Sequence, residues 1–117
     1  MYKKVIMFIL TGILVLNTGV FTSAGQVEKT SSGKTFKSSW SATAKNSSGN
    51  GTLTYGYNTD WINEDFAWAN HKNYSHYASL KNANGWHTSS SKKKGAIAKI
   101  EVRHKYDGNV IKYRCNW

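Results

Sequence analysis

Three stretches of the chain alternate between two faces with the period of a half-buried strand. In LTYGY, residues 53–57, Leu53, Tyr55 and Tyr57 share one side and Thr54 and Gly56 the other. In SHYASL, residues 75–80, His76, Ala78 and Leu80 oppose Ser75, Tyr77 and Ser79. The segment GAIAKIEVRHKY, residues 95–106, sets Ala96, Ala98, Ile100 and Val102 against Ile97, Lys99, Glu101 and Arg103, and Asp107 and Gly108 follow it. Asp-Gly is favoured in a two-residue hairpin turn, because both positions need positive φ. That turn predicts a C-terminal β-hairpin in which Val102 faces Tyr113, Ile100 faces Cys115, Ala98 faces Trp117 and Glu101 faces Arg114. Only DWINEDFAW, residues 60–68, departs from strand spacing. Asp60 as an N-cap, with Trp61, Ile62, Phe66 and Ala69 near helical spacing, predicts one or two turns of helix there. Short strands separated by turn signals predict an all-β fold, a small antiparallel β-sandwich or a barrel-like sheet.

The N-terminus is patterned differently. Lys3 and Lys4, an apolar run from Val5 to Leu16, and Thr22 and Ala24 before a cut make residues 1–24 a secretory signal peptide cleaved after Ala24. The run is shorter than the ~20 residues that a membrane anchor requires. From Gly25 to Asn50, Ser, Thr, Lys, Gly and Asn dominate, with only Val27, Phe36 and Trp40 as larger apolar groups. Residues 25–50 therefore read as a flexible or pro-like segment, with Trp40 docking on a domain that spans residues 51–117.

Lys3 and Lys4 leave with the leader, so 14 of the 16 Lys and Arg remain against 6 Asp and Glu, a net of +8. The excess favours an anionic partner, and export points to an anionic envelope component rather than nucleic acid. Cys115 has no second cysteine with which to form an intrachain bridge. Its alternatives are a packed free thiol or an intermolecular disulfide that makes a homodimer.

The candidate chemistry is sparse. GKT at residues 33–35 lacks the earlier glycine of a phosphate loop. His71 and His76 are an odd number of residues apart and would point to opposite sides of one strand, which argues against a metal pair. No nucleophile signature is present, and Glu64 and Asp65, being adjacent, diverge. We expect no catalytic centre, no metal and no cofactor. The aromatic residues exceed what so small a core can hold, so some lie at the surface, where amphipathic rings mark binding. Tyr77 and Trp86 are the candidates for target contact, and Lys92, Lys93 and Lys94 are candidates for attracting phosphate.

An exported precursor is followed by GNGTLTYG at 49–56, NHKNYSHYASLKN at 70–82, a Ser/Lys loop, GAIAKIEV, and a tyrosine-bearing C-terminal strand. This order of motifs resembles the lactococcin 972 family of bacteriocins. Tyr55, Gly56, His76, Ala78, Leu80, Tyr113 and Trp117 are the strand and motif residues that carry the likeness. Arg114 stands where the second tyrosine of a terminal pair is usual. The resemblance implies a secreted, unmodified antibacterial polypeptide that acts on wall synthesis through the lipid-linked peptidoglycan precursor, without pores. It also implies a dedicated immunity transporter. The rival expectation is a secreted, non-toxic binding or inhibitor module that recognises a glycan or a protein.

Overall fold

The computed structural model describes residues 25–117, and the signal peptide expected at residues 1–24 lies outside the described residues. Eight strands form there: β1 (Gln26–Thr30), β2 (Trp40–Lys45), β3 (Gly51–Asn58), β4 (Glu64–His71), β5 (Tyr77–Asn82), β6 (Gly85–Thr88), β7 (Ala98–Arg103) and β8 (Lys112–Asn116). They make two four-stranded antiparallel sheets, β1-β8-β5-β6 and β2-β3-β4-β7. The sheets pack face to face as a small β-sandwich, and each buries one alternating set of side chains.

The inner faces follow the alternation. Leu53, Tyr55 and Tyr57 are buried from β3, and Ala78 and Leu80 from β5, with His76 just before it. Across the ladders, Leu53 lies beside Ala69 and Tyr55 beside Ala67, while Leu80 lies beside Tyr113 and Ala78 beside Cys115. The small residues of β4 leave space for larger rings. The Tyr55 and Tyr113 rings meet at 5.0 Å across the interior, and Trp40 closes edge-on against both. At Gly56 a side chain would collide with the backbone of Trp40, so β2 and β3 approach closely only because that residue is glycine.

Three sequence expectations are corrected. The C-terminal hairpin does not form: β7 pairs with β4, while β8 lies in the other sheet between β1 and β5. Asp107 and Gly108 do turn the chain, with Gly108 at φ 97° and the Asn109 N–H donating to Asp107 Oδ1, but the turn belongs to a crossover between sheets. The inward assignment of Ala98, Ile100, Val102, Tyr113 and Cys115 holds. These side chains enter one core from two different sheets instead of standing side by side in one, and alternation alone does not distinguish the two arrangements. Arg114 accordingly pairs with Glu28 and not with Glu101.

Nor is there a helix at 60–68, because residues 64–71 form a central strand. Its outer face holds Phe66 and Trp68 and its inner face Asp65, Ala67, Ala69 and His71, so large and small residues on both faces mimic helical spacing. Residues 25–50 are not a flexible appendage. β1 and β2 are edge strands, each needing one apolar side only: Val27 lies beside Cys115, and Trp40, Ala42 and Ala44 face the core. The folded unit therefore includes residues 25–50 together with residues 51–117.

The pairings also fix which loops share an end. Asn82 Nδ2 donates to the Arg103 carbonyl and Ala83 N–H to the Lys105 carbonyl, so the β5–β6 turn sits beside the end of β7. His104 N–H donates to the Asn63 carbonyl and Ser39 Oγ lies 3.1 Å from Thr59 Oγ1. Loops 31–39, 59–63, 83–84 and 104–111 thus gather at one end of the sandwich. At the other end His71 stacks on Trp117 at 4.7 Å, and Trp117 covers Gly51.

Candidate anion-binding surface

The outward faces of β8, β5 and β6 form a surface in which adjacent ladder positions can be read directly. One row runs Glu28, Arg114, Ser79, Thr88, and the next runs Thr30, Lys112, Lys81, Trp86. Arg114 is its organiser. Its guanidinium lies 4.1 Å from the centre of the Trp86 ring, and its Nε donates to Glu28 Oε1 at 3.3 Å. Tyr77 belongs to the same face; burial raises its phenol above the ordinary value and the Arg114 charge partly offsets this. Beneath it, Asn116 Nδ2 donates to Ser79 Oγ at 3.0 Å and to the Tyr77 carbonyl at 3.3 Å, fixing the floor between the two aromatics.

Lys81 and Lys112 are direct cross-strand neighbours. Like charges in that position repel, and neither has an acidic neighbour in its ladder row. They line a cleft of about 470 Å³ together with Asn82, Gly85, Asn109 and Asp107. Two ammonium groups, the Asn109 amide and a nearby guanidinium stacked on an indole are donors suited to a phosphate or pyrophosphate, with Asp107 as the one carboxylate of the cleft.

Trp86 and Tyr77, singled out from the sequence, thus fall on one face and converge on Arg114. Trp86 is 42% exposed. Lys92, Lys93 and Lys94 do not join them at the cleft. Lys92 pairs its backbone with His76 at the opposite end of β5, and the three exposed lysines lead into the turn at Gly95. Lys81, Lys112 and Arg114 were missed because their adjacency arises only from β5–β8 pairing.

The other motif residues are internal. His76 sets Nδ1 2.9 Å from the Tyr74 carbonyl and Nε2 2.6 Å from the Ala96 carbonyl, bracing the β4–β5 turn against the β6–β7 loop. His71 Nδ1 accepts N–H bonds from Asn73 and Tyr74, and burial, reinforced by His76, lowers its basicity. Tyr113 is fully buried, which raises its phenol far above the ordinary range. Cys115 is fully buried, its Sγ donates to the Asn70 carbonyl, and burial pushes the thiol up to about 11.

One polar pair had no sequence signal. His104 Nδ1 donates at 2.9 Å to both oxygens of Asp65, whose carboxyl is fully buried. Phe36 at 4.3 Å, Tyr57 at 4.9 Å and Tyr106 at 6.1 Å enclose the imidazole, so the pair fastens loops 31–39 and 104–111 to the sandwich. Among the described residues, no three His, Cys, Asp or Glu side chains lie together in a metal-binding group. Compared with known proteins, the chain matches no family model, no curated protein and no solved structure.

Proposed function

We propose that this chain is a secreted bacteriocin that binds an anionic cell-envelope component, the lipid-linked peptidoglycan precursor, and blocks wall synthesis in related Gram-positive bacteria. It acts by binding rather than by catalysis. The observation that carries the reading is the Lys81–Lys112 neighbour pair at the mouth of a polar cleft, flanked by Arg114 on Trp86. A pyrophosphate would relieve the repulsion between the lysines and draw on Arg114, while Trp86 offers an amphipathic ring to the attached sugar. The motif resemblance and the cationic mature chain support the same target, and a producing cell would need a dedicated immunity transporter.

The test uses the purified secreted protein on lawns of related Gram-positive strains. Growth should stop with wall precursor accumulating and before any dye leaves the cells. The double variant Lys81→Glu, Lys112→Glu should lose inhibition while retaining the wild-type unfolding midpoint. Leakage as the first event, or full activity in the double variant, would overturn the mechanism.

A second reading rests on the outer face of the other sheet. Trp68 Nε1 donates to Glu101 Oε2 at 3.0 Å, Lys99 lies 4.4 Å from its ring centre, and a cleft of about 160 Å³ beside it is lined by Thr52, Thr54, Asn70 and Ile97. An indole among hydroxyls and an amide is suited to a neutral sugar. On that reading the protein is a non-toxic glycan-binding module, lawns grow normally, and Trp68→Ala rather than the lysine variant abolishes retention on the glycan.

A further inference from the structure

We propose that the end of the sandwich where loops 31–39, 59–63, 83–84 and 104–111 gather is a docking surface for an anionic lipid bilayer, with Trp61 as its anchor. The loops of this end carry apolar groups that folding leaves in water. Trp61, at the tip between β3 and β4, is 89% exposed, Tyr106 is 51% and Val110 43%. An indole held in solvent at a loop tip is poorly placed for folding but well placed for the headgroup–acyl boundary, where amphipathic rings are favoured.

Charge selects the lipid. Lys34, Lys37, Lys81 and Lys105 are exposed on or beside the same loops, opposed by the exposed acids Asp60 and Asp107. Asp107 already accepts the Asn109 N–H within its turn. A cationic excess around protruding rings is complementary to an anionic leaflet, each lysine adding attraction within a Debye length of the surface. The end is also firmly held: the Asp65–His104 pair and its aromatic enclosure fix loops 31–39 and 104–111, so the tips present a preformed surface. The opposite end, which is also basic, exposes Tyr74 on the β4–β5 turn. It serves as the internal control.

Docking here stands apart from precursor recognition, because it requires only lipid. It would bring the Lys81–Lys112 cleft, which opens at the same end, down to the level of the headgroups. Vesicles of equal parts phosphatidylglycerol and phosphatidylcholine, free of any wall precursor, would be floated with the secreted protein, and tryptophan emission recorded with and without brominated lipid. The protein should float with these vesicles and not with pure phosphatidylcholine. Its emission should shift to the blue and be quenched by bromine, and added salt should release it. Trp61→Ala should weaken partitioning roughly tenfold with an unchanged unfolding midpoint, and Tyr74→Ala should leave it unaltered. Equal binding to neutral vesicles, no binding to anionic ones, or equal losses in the two variants would overturn the proposal. Because the vesicles lack precursor, such a failure would leave the lawn assay to decide the bacteriocin reading on its own.

Discussion

The buried Asp65 carboxyl sets two effects against each other, and the pH dependence of stability shows which prevails. Hydrogen bonding and charge from His104 pull the carboxyl down, but burial is the larger cause and lifts it from 3.8 to about 6. The folded protein therefore keeps a proton that the unfolded chain has already released between those values. The stability contributed by the neutral carboxyl is fully present below pH 3.8 and is lost as the pH rises through 6. At about 1.4 kcal/mol per pH unit of separation, the loss is roughly 3 kcal/mol. Asp65→Asn keeps the shape and removes the titration. Urea unfolding of both proteins from about pH 3.5 to about pH 7.5 gives the difference in unfolding free energy, in which groups that do not interact with Asp65 cancel. That difference should move against the wild type by roughly 3 kcal/mol as the pH rises. A flat difference would mean that Asp65 is effectively hydrated. A difference moving in favour of the wild type would mean that the ion pair with His104 outweighs burial, and either result refutes the reasoning.

Two further outcomes follow from close packing. Gly56→Ala places a Cβ against the backbone of Trp40 and should cost about 1–3 kcal/mol, read as a lower midpoint in urea; an unchanged midpoint would show that β2 withdraws freely. Cys115 should ignore a thiol reagent in the native protein, react fully once unfolded, and give only monomer on a non-reducing gel, because the thiol is buried and pushed up to about 11. A native disulfide dimer would show that the C-terminal strand opens.

Much of the fold was legible as facing rather than as pairing. The alternation through Leu53, Tyr55 and Tyr57, through His76, Ala78 and Leu80, and through Ala98, Ile100 and Val102 correctly separates inside from outside. What alternation does not encode is the neighbour. Val102 and Tyr113 satisfy the same pattern whether they stand side by side in one sheet or enter the core from two, and a good turn at Asp107–Gly108 favoured the wrong choice. Composition misled in the opposite sense at β1 and β2. Edge strands backed by filled central strands need few apolar residues, so a segment rich in Ser, Thr and Lys can be fully structured. In β4, Phe66 and Trp68 outside and small or polar residues inside break the rule that one strand face is oily and the other wet.

The candidate site was less legible for a related reason: its cations lie far apart along the chain and meet only through β5–β8 pairing. In the hairpin register, Lys112 would have faced Arg103, a like-charge contact explicable as a wet surface position. In the observed sheet Lys112 instead lies beside Lys81, so the repulsion persists while its setting changes. The pair now borders a cleft, with Trp86 next in the row and Arg114 in the row behind. A cross-strand pair of like charges destabilises a sheet by some tenths of a kcal/mol, and both side chains lie on the outer face. Glu28, one row away, is already engaged by Arg114. On the proposed function, an arriving anion would relieve the repulsion of a lysine pair that has no acidic ladder neighbour, in a cleft that it shares with Asp107 and beside an indole that already holds a guanidinium.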